Sequence, residues 1–297
     1  MKTQKTLAVI GVGPLLGMSV ARRFGREGYR VGLVARSRNK LDAYVEELAA
    51  AGIEAVGLPA DVLDRAQLTA AIEGISKRLG SIDVLEYSPM IGNDGVRPVL
   101  EIDVENTLPN LGYYLFGAIT AVRCVVNGMI EKGDGALLFT SGASALVPFP
   151  THGNVAVAMG ALRQYVRMLN VALESKGVYA GSIIIAQPHY PERLADLYWD
   201  MVQKRDRVEE VHGILELGEA YERLAARGFG PGFPPGLTRE LPEPRDAREQ
   251  RTFLLGLYQA RINAKWHPDP DEMIRKADAQ AQRIGGDITA PFYGVSI

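Results

Sequence analysis

Residues 6–17, TLAVIGVGPLLG, decide the fold of this chain. The first five form an apolar run with the length of a buried strand, and an amphipathic segment follows the glycines. A glycine turn between a strand and a helix lets backbone N–H groups at the helix N-terminus approach phosphate oxygens. The stretch therefore predicts a dinucleotide-binding turn, whose candidate contact residues are Gly11, Gly13, Leu15, Leu16 and Gly17.

Strand and helix patterns alternate through the first two-thirds of the chain. Further strands are predicted at residues 30–35, 54–58, 82–85, 136–140 and 180–186, and helices at 40–51, 64–79, 111–130, 155–173 and 191–204. Strands separated by helices form right-handed βαβ units and so a parallel sheet covered on both faces. The predicted fold class is α/β, a doubly wound parallel sheet of Rossmann type.

The last third of the chain has a different pattern. Helices are predicted at residues 215–227, 249–265 and 271–284, with a glycine- and proline-rich segment at 228–236. We expect a Rossmann-type dinucleotide-binding domain over residues 1–205 and a helical extension over 206–297. Aromatic rings in this extension, beginning at Phe229, suit an active-site lid. The alternative is an extension that packs against the outside of the sheet's helices.

Composition argues against several classes of function. The chain has 297 residues, 47% of them hydrophobic, and a net charge of -2, so neither nucleic acid nor a membrane is an expected partner. Cys124 is the only cysteine, so an internal disulfide or a cysteine-cluster metal site is excluded. The first apolar run is too short for a signal peptide, and no stretch is expected to span a bilayer. The cytoplasm is the expected compartment.

Two arginines follow the second predicted strand, where dinucleotide enzymes recognise the adenosine ribose. Arg36, Ser37 and Arg38 stand where an NAD-preferring enzyme usually has a carboxylate. A guanidinium instead suits a 2′-phosphate through charge-assisted hydrogen bonds. NADP(H) is therefore the predicted cofactor. The alternative is that both arginines are solvated residues at the start of the next helix.

The order and spacing of these features over residues 6–205 resemble the short-chain dehydrogenase/reductase family. Gly11 and Gly17 align with the first and last glycines of the family's turn, and Leu15 aligns with the middle one. The resemblance implies that Asp61 and Val62 contact the adenine. A helix-cap role is the alternative for Asp61.

The family's Asn-Asn-Ala-Gly segment is rewritten here as residues 86–90, EYSPM. The resemblance still implies that this strand end lines the cofactor groove, through Ser88 and Pro89. It implies no metal ligand.

The catalytic positions of the family carry different chemistry in this chain. Family members use an Asn, a Ser, a Tyr and a Lys, and the Lys lowers the pKa of the Tyr that transfers the proton. The equivalent positions here hold Tyr114, Gly142, Val155 and Met159. Because valine and methionine cannot exchange protons, the standard proton donor is not expected.

The candidates to replace it lie on segments that the resemblance places beside the nicotinamide: Tyr87, Tyr114, Ser141, His152, His189 and Tyr190. A core or interface position is the alternative for Tyr114, since it lies on a long apolar helix. His189 and Tyr190 lie between two prolines and are the best candidates to face a substrate.

The resemblance implies an NADP(H)-binding oxidoreductase without the standard Ser-Tyr-Lys triad. A substrate that needs little acid catalysis suits it, such as an imine, an iminium or a conjugated C=C bond. The alternatives are a non-redox cyclase or isomerase, and a non-catalytic dinucleotide-binding regulator. A small-molecule substrate and a homo-oligomer, dimer or tetramer, are the expected partners.

Overall fold

The computed structural model describes residues 4–92, 95–186, 190–213, 244–263 and 270–288. The strands of its sheet have these bounds: β1 Thr6–Ile10, β2 Arg30–Ala35, β3 Ala55–Pro59, β4 Val84–Tyr87, β5 Gly135–Gly142, β6 Val178–Ile185 and β7 Glu209–His212. The α-helices that accompany them are α1 Leu16–Arg26, α2 Arg38–Ala50, α3 Arg65–Leu79, α4 Val104–Leu111, α5 Gly117–Lys132, α6 Gly153–Leu173, α7 Pro191–Lys204, α8 Ala247–Asn263 and α9 Pro270–Arg283.

The seven strands form one parallel sheet in the order β3-β2-β1-β4-β5-β6-β7. This order confirms the predicted doubly wound fold. The strand order changes direction at β1: β2 and β3 lie on one side of this strand, and β4 to β7 lie on the other. In such sheets, ligands bind at the carboxyl ends of the strands beside this switch point.

The strands are buried because helices cover both faces of the sheet. Alternate strand residues such as Ile10, Leu85 and Phe139 pack against α3, α5 and α6 in one apolar cluster. On the other face, α1 packs against α7, and α2 lies against β3. Continuous apolar runs are the expected sequence of strands covered on two sides.

A single helical stretch, Val104–Lys132, contains α4, a π-helical segment Gly112–Phe116 and α5. It begins seven residues earlier than predicted, because Asp103 and Asn106 form a capping box ahead of Pro109. By length and composition it could cross a membrane, contrary to the expectation for this chain. Its buried side chains, including Ala118 and Val122, belong to the core cluster of the sheet, as those of a core helix do.

The edge strand β7 is not predicted from the sequence, because a glutamate occupies one of its inward positions. Glu209 is buried, and its carboxylate accepts two hydrogen bonds from Arg163 of α6, at 2.6 and 2.8 Å. The bidentate ion pair satisfies the charge that would otherwise oppose burial.

The chain divides into two compact units: residues 1–183 with 191–209, and residues 184–190 with 210–297. The second unit has its own apolar cluster, in which Tyr190 and Phe253 stack at 5.5 Å between ring centroids. The predicted boundary at residue 205 stays a prediction. The predicted helix 215–227 and the proposed lid segment 229–241 lie outside the described residues.

Candidate active site

The glycine turn after β1 has the geometry that the sequence predicts. Gly11 has a φ of 85°, and a Cβ there would lie 2.4 Å from Cα of Pro89. A Cβ on Gly17 would lie 2.9 Å from Cα of Val12. Both glycines are therefore required by close backbone approach. A Cβ on Gly13 would have no heavy atom within 4 Å of it among the described residues.

The N-terminus of α1 has the features of an anion-binding site. Leu15 occupies the N-cap position and offers no side-chain hydrogen bond, and the first turn, from Leu16, has no acidic residue. The N–H groups of this turn and the positive end of the helix dipole therefore suit a phosphate group.

The two arginines after β2 differ in their surroundings. The Arg38 guanidinium donates to the Gly57 carbonyl at 3.0 Å and lies 3.7 Å from the Asp42 carboxylate. Arg36 is exposed and makes no such hydrogen bond or ion pair in the described part of the chain. Ser37 caps α2 by accepting from the Lys40 N–H at 3.4 Å. Of the two arginines, Arg36 is thus the stronger candidate for the predicted contact with a 2′-phosphate.

Asp61 and Val62 follow β3 beside the same region. Asp61 Oδ1 accepts a hydrogen bond from the Leu63 N–H at 3.0 Å, whereas Asp64 is the residue that caps α3. Val62 is buried in the core cluster. The charges of Asp61 and Arg36 both act on the buried Tyr113 phenol, whose pKa burial raises. Arg36 and Asp61 therefore both lie at the carboxyl-end edge of the sheet, where β2 and β3 end.

The segment after β4 lies directly against the glycine turn. The Ser88 N–H donates to the Ile10 carbonyl at 3.0 Å, and Pro89 occupies the space that a side chain on Gly11 would need. Ser88 is partly exposed, and its hydroxyl lies 2.9 Å from Oε2 of the buried Glu86. The turn, Ser88 and Pro89 are thus neighbours at the carboxyl ends of β1 and β4, the edge of the sheet at which the cofactor groove is expected.

Tyr87, a candidate to border the nicotinamide, is buried and makes a contact that the sequence does not predict. Its hydroxyl donates to the Tyr113 carbonyl at 2.5 Å, in the π-helical segment where the usual helix hydrogen bonding is altered. A Cβ on Gly117 would lie 2.1 Å from this hydroxyl, so only glycine permits the contact. The glycine inside an apolar helix was the available signal.

The structure buries Tyr114 and Ser141 in the first unit. The Tyr114 hydroxyl accepts a hydrogen bond from the Ile91 N–H at 3.4 Å, and burial raises the pKa of the phenol to about 12. Ser141 ends β5, and its Oγ is buried with no hydrogen-bond partner among the described residues. Asn110 lies one helical turn before Tyr114, and its buried Oδ1 also has no hydrogen-bond partner among the described residues. Buried polar atoms without partners are rare and identify positions where a ligand or water can bind.

Apolar groups fill the space around the start of α6. Val155 is buried, and the Met159 sulfur accepts hydrogen bonds from the Gly142 N–H at 3.2 Å and from Ser144 Oγ at 3.4 Å. The preceding Asn154 fixes this helix end by donating to the Gly95 and Asn106 carbonyls. The Asn106 carbonyl also accepts from Asn110, which places Asn110 beside the start of α6.

Tyr190 lies in the second unit and does not face a groove in the described residues. It is fully buried and stacked on Phe253, which is the environment of a core aromatic residue. His189 lies outside the described residues. No cluster of metal-binding side chains occurs in the part of the chain that the structure describes.

Known proteins with similar sequences are oxidoreductases. A fatty acyl-CoA reductase of Mycobacterium tuberculosis is 29% identical over 195 residues, which are 63% of this chain and 65% of that protein. The 3-oxoacyl-acyl-carrier-protein reductase FabG of Staphylococcus aureus is 24% identical over 184 residues, covering 62% of this chain and 74% of that one. The aligned region thus spans just under two-thirds of the mycobacterial reductase.

Solved structures share the fold. A metagenomic short-chain oxidoreductase in complex with NADP has a TM-score of 0.65 and 22% identity, and it covers 71% of this chain and 98% of its own. A short-chain dehydrogenase from Rhodopseudomonas palustris has a TM-score of 0.64 and 24% identity, with coverage of 70% and 98%. Residues 5–187 match the family described as short chain dehydrogenase. The chain belongs to the short-chain dehydrogenase/reductase family, whose members bind NAD(P).

Proposed function

We propose that this chain is an NADP(H)-dependent reductase that works without the Tyr and Lys of its family. The observation that carries the proposal is the pair Val155 and Met159, one buried and the other engaged through its sulfur with Gly142 and Ser144. Preference for NADP(H) rests on Arg36, the exposed guanidinium without a hydrogen bond or ion pair among the described residues.

The residues present would hold the dinucleotide by its phosphates and its 2′-phosphate. The turn from Gly11 to Gly17 and the first turn of α1 bind the pyrophosphate through backbone N–H groups. Arg36 binds the 2′-phosphate. The bound nicotinamide supplies or accepts a hydride.

The proposed substrate class follows from the family's Tyr position, which holds Val155 here and so carries no proton donor. Reduction of a simple ketone produces an alkoxide, which needs a proton donor at the Tyr position. An iminium already carries positive charge, and a conjugated C=C bond yields an enolate that a hydrogen bond can stabilise. Tyr114 stays protonated across the physiological range, because its pKa is raised to about 12. It and the unpartnered Ser141 hydroxyl are the groups that donate to such an enolate oxygen.

The similar reductases narrow the choice of probes. Because the relatives are named for fatty acyl-CoA and 3-oxoacyl substrates, an acyl thioester with a conjugated C=C bond is the first compound to try. A 3-oxoacyl thioester of the same length is its matched comparison. Reduction of its ketone needs a proton donor at the Tyr position, whereas hydride addition to the conjugated C=C bond does not.

The experiment follows deuteride transfer from NADPH labelled at C4. We expect stereospecific deuterium incorporation into the conjugated thioester or a cyclic iminium, and a rate at least tenfold lower for the 3-oxo compound. Faster reduction of the 3-oxo thioester contradicts the proposed mechanism. Turnover without NADPH consumption supports a cyclase or isomerase instead, and NADPH binding with no turnover on the panel supports a regulator.

A further inference from the structure

A carboxyl group is buried beneath the cofactor groove, and the mechanism above does not use it. Glu86 lies on β4 and is fully buried. Its Oε2 is 2.9 Å from Ser88 Oγ, and its Oε1 is 3.2 Å from Thr140 Oγ1. Thr140 Oγ1 is in turn 2.6 Å from the Tyr198 hydroxyl of α7. A chain of four polar groups therefore runs through an otherwise apolar layer.

The hydroxyls of this chain can satisfy a protonated Glu86 carboxyl as well as a charged one. The Tyr198 hydroxyl donates to the Phe139 carbonyl at 2.8 Å. Either oxygen of the Thr140–Tyr198 contact can be the donor. When Thr140 donates to Tyr198, a protonated Glu86 supplies the proton of the Thr140–Glu86 contact, so the protonated form leaves no contact of the chain without a proton.

The surroundings favour the same form. In the described residues, the groups that act on the carboxyl are the Ser88 and Thr140 hydroxyls and the Tyr198 phenol, and none of them is a cation. Burial raises the pKa of Glu86 to about 8, and the pKa of Tyr198 is raised well above its ordinary value. Both groups are therefore neutral at pH 7.

The position of Glu86 ties it to the phosphate-binding turn. Glu86 is the register partner of Val9 in β1, two residues before Gly11. Ser88 follows the last residue of β4, and its N–H donates a hydrogen bond to the Ile10 carbonyl, next to the start of that turn. Ser88 is partly exposed at the groove, whereas Glu86 is not. A charge on Glu86 would lie directly under the strand ends that receive the dinucleotide.

We propose that protonated Glu86 is a positioning residue of the dinucleotide site. It holds the Ser88 and Thr140 hydroxyls in place under the glycine turn, and it must keep its proton for the anionic cofactor to bind. The inference rests on the proposed function, because it requires that NADP(H) binds in this groove.

Proton linkage makes the inference measurable. If only the protonated form binds, the affinity for NADPH is constant below about pH 8 and falls by up to about tenfold per pH unit above it. Binding above that pH then takes up one proton. A merely structural hydrogen bond produces neither effect.

Isothermal titration calorimetry with NADPH between pH 7 and 9.5, in buffers of different ionisation enthalpy, tests this linkage. We expect proton uptake approaching one per NADPH at pH 9, and a Glu86→Gln variant that binds with wild-type affinity at pH 7, no pH dependence and no proton uptake. Glu73→Gln, which removes an exposed acid on α3, is the matched control and should behave as the wild type.

A second measurement needs no variant and no cofactor. Infrared spectroscopy of the wild-type protein should show a protonated carboxyl C=O band that persists at pH 7 and disappears with a midpoint near pH 8. Absence of this band at pH 7, or NADPH affinity and proton uptake that do not change up to pH 9.5, overturns the inference and leaves the proposed function intact. Failure of NADPH to bind at any pH overturns both.

Discussion

At the scale of single residues, Arg36 and Arg38 give the first prediction. Arg38 is held by the Gly57 carbonyl and Asp42, whereas Arg36 has no such partner in the described residues. Losing a charge-assisted contact to phosphate costs about 1–3 kcal/mol. We therefore expect Arg36→Ala to weaken NADPH binding by about tenfold or more, with NADH binding nearly unchanged, as measured by calorimetry.

Arg38→Ala is the control for that variant and should change NADPH affinity less than Arg36→Ala does. Equal affinities of the unmodified protein for NADPH and NADH would remove the basis of the prediction.

The Tyr87 hydroxyl gives a prediction about stability. Tyr87→Phe leaves the Tyr113 carbonyl of the π-helical segment without its partner in a buried place. An unsatisfied buried acceptor costs about 1–3 kcal/mol. We expect urea denaturation to show a loss of this size, with the slope of the transition unchanged.

Gly117→Ala is a companion variant, since its methyl group would collide with the same hydroxyl. It should destabilise the wild-type protein more than it destabilises the Tyr87→Phe protein, because the phenylalanine ring removes the colliding atom. Additive effects of the two substitutions would mean that the contact has no energetic weight.

Glu86 also gives the protein a pH-dependent stability. Its pKa rises on folding from 4.5 to about 8, so the folded state binds more protons than the unfolded state between these values. The free energy of unfolding therefore falls as the pH rises through that window, on the order of 1 kcal/mol per pH unit from this group. Thermal melting from pH 5 to 9 should show this slope in the wild type. In Glu86→Gln the slope should be shallower, and identical slopes would contradict the assignment.

At the scale of elements, the sequence predicts those features that depend on local pattern. The strands β1 to β6 and the helices between them are continuous apolar runs or amphipathic stretches, so their periodicity is enough. β7 was missed because Glu209 depends on Arg163, a partner 46 residues away. The first two turns of the Val104–Lys132 helix, residues 104–110, are not predicted because Pro109 is typical of a helix break.

The candidate site divides in the same way. The backbone part, Gly11, Gly17 and the start of α1, could be predicted because its chemistry depends on glycines at fixed spacing. The side-chain contacts could not, because the Glu86–Thr140–Tyr198 chain joins β4, β5 and α7. The burial of Tyr190 could not be predicted either, because it depends on stacking with Phe253, which lies far along the chain.

At the scale of the whole molecule, exposed apolar side chains on α4 and α6 predict a homo-oligomer. Val104, Leu108, Met168 and Val171 are between 53% and 75% exposed. Exposed apolar side chains about one helical turn apart on each of two helices are typical of an interface. We expect sedimentation to show a dimer or tetramer at micromolar concentration. The double variant Met168→Glu/Val171→Glu should dissociate it, while Lys77→Glu on α3 should not.

A strict monomer in the unmodified protein would contradict this prediction. It would favour the alternative that the chain's own C-terminal region covers that face.

The strand order described above has a consequence for how the chain folds as it is synthesised. β1 can pair with β2 as soon as Ala35 has been synthesised, since Thr6 is in register with Arg30. Its other edge must wait for β4, whose Val84 pairs with Leu7. Closing that larger loop costs more chain entropy before any contact compensates it. Until then β1 presents a row of unpaired backbone groups along an apolar edge, so the nascent half-sheet is the stage at which this protein is most exposed to aggregation and to capture by chaperones.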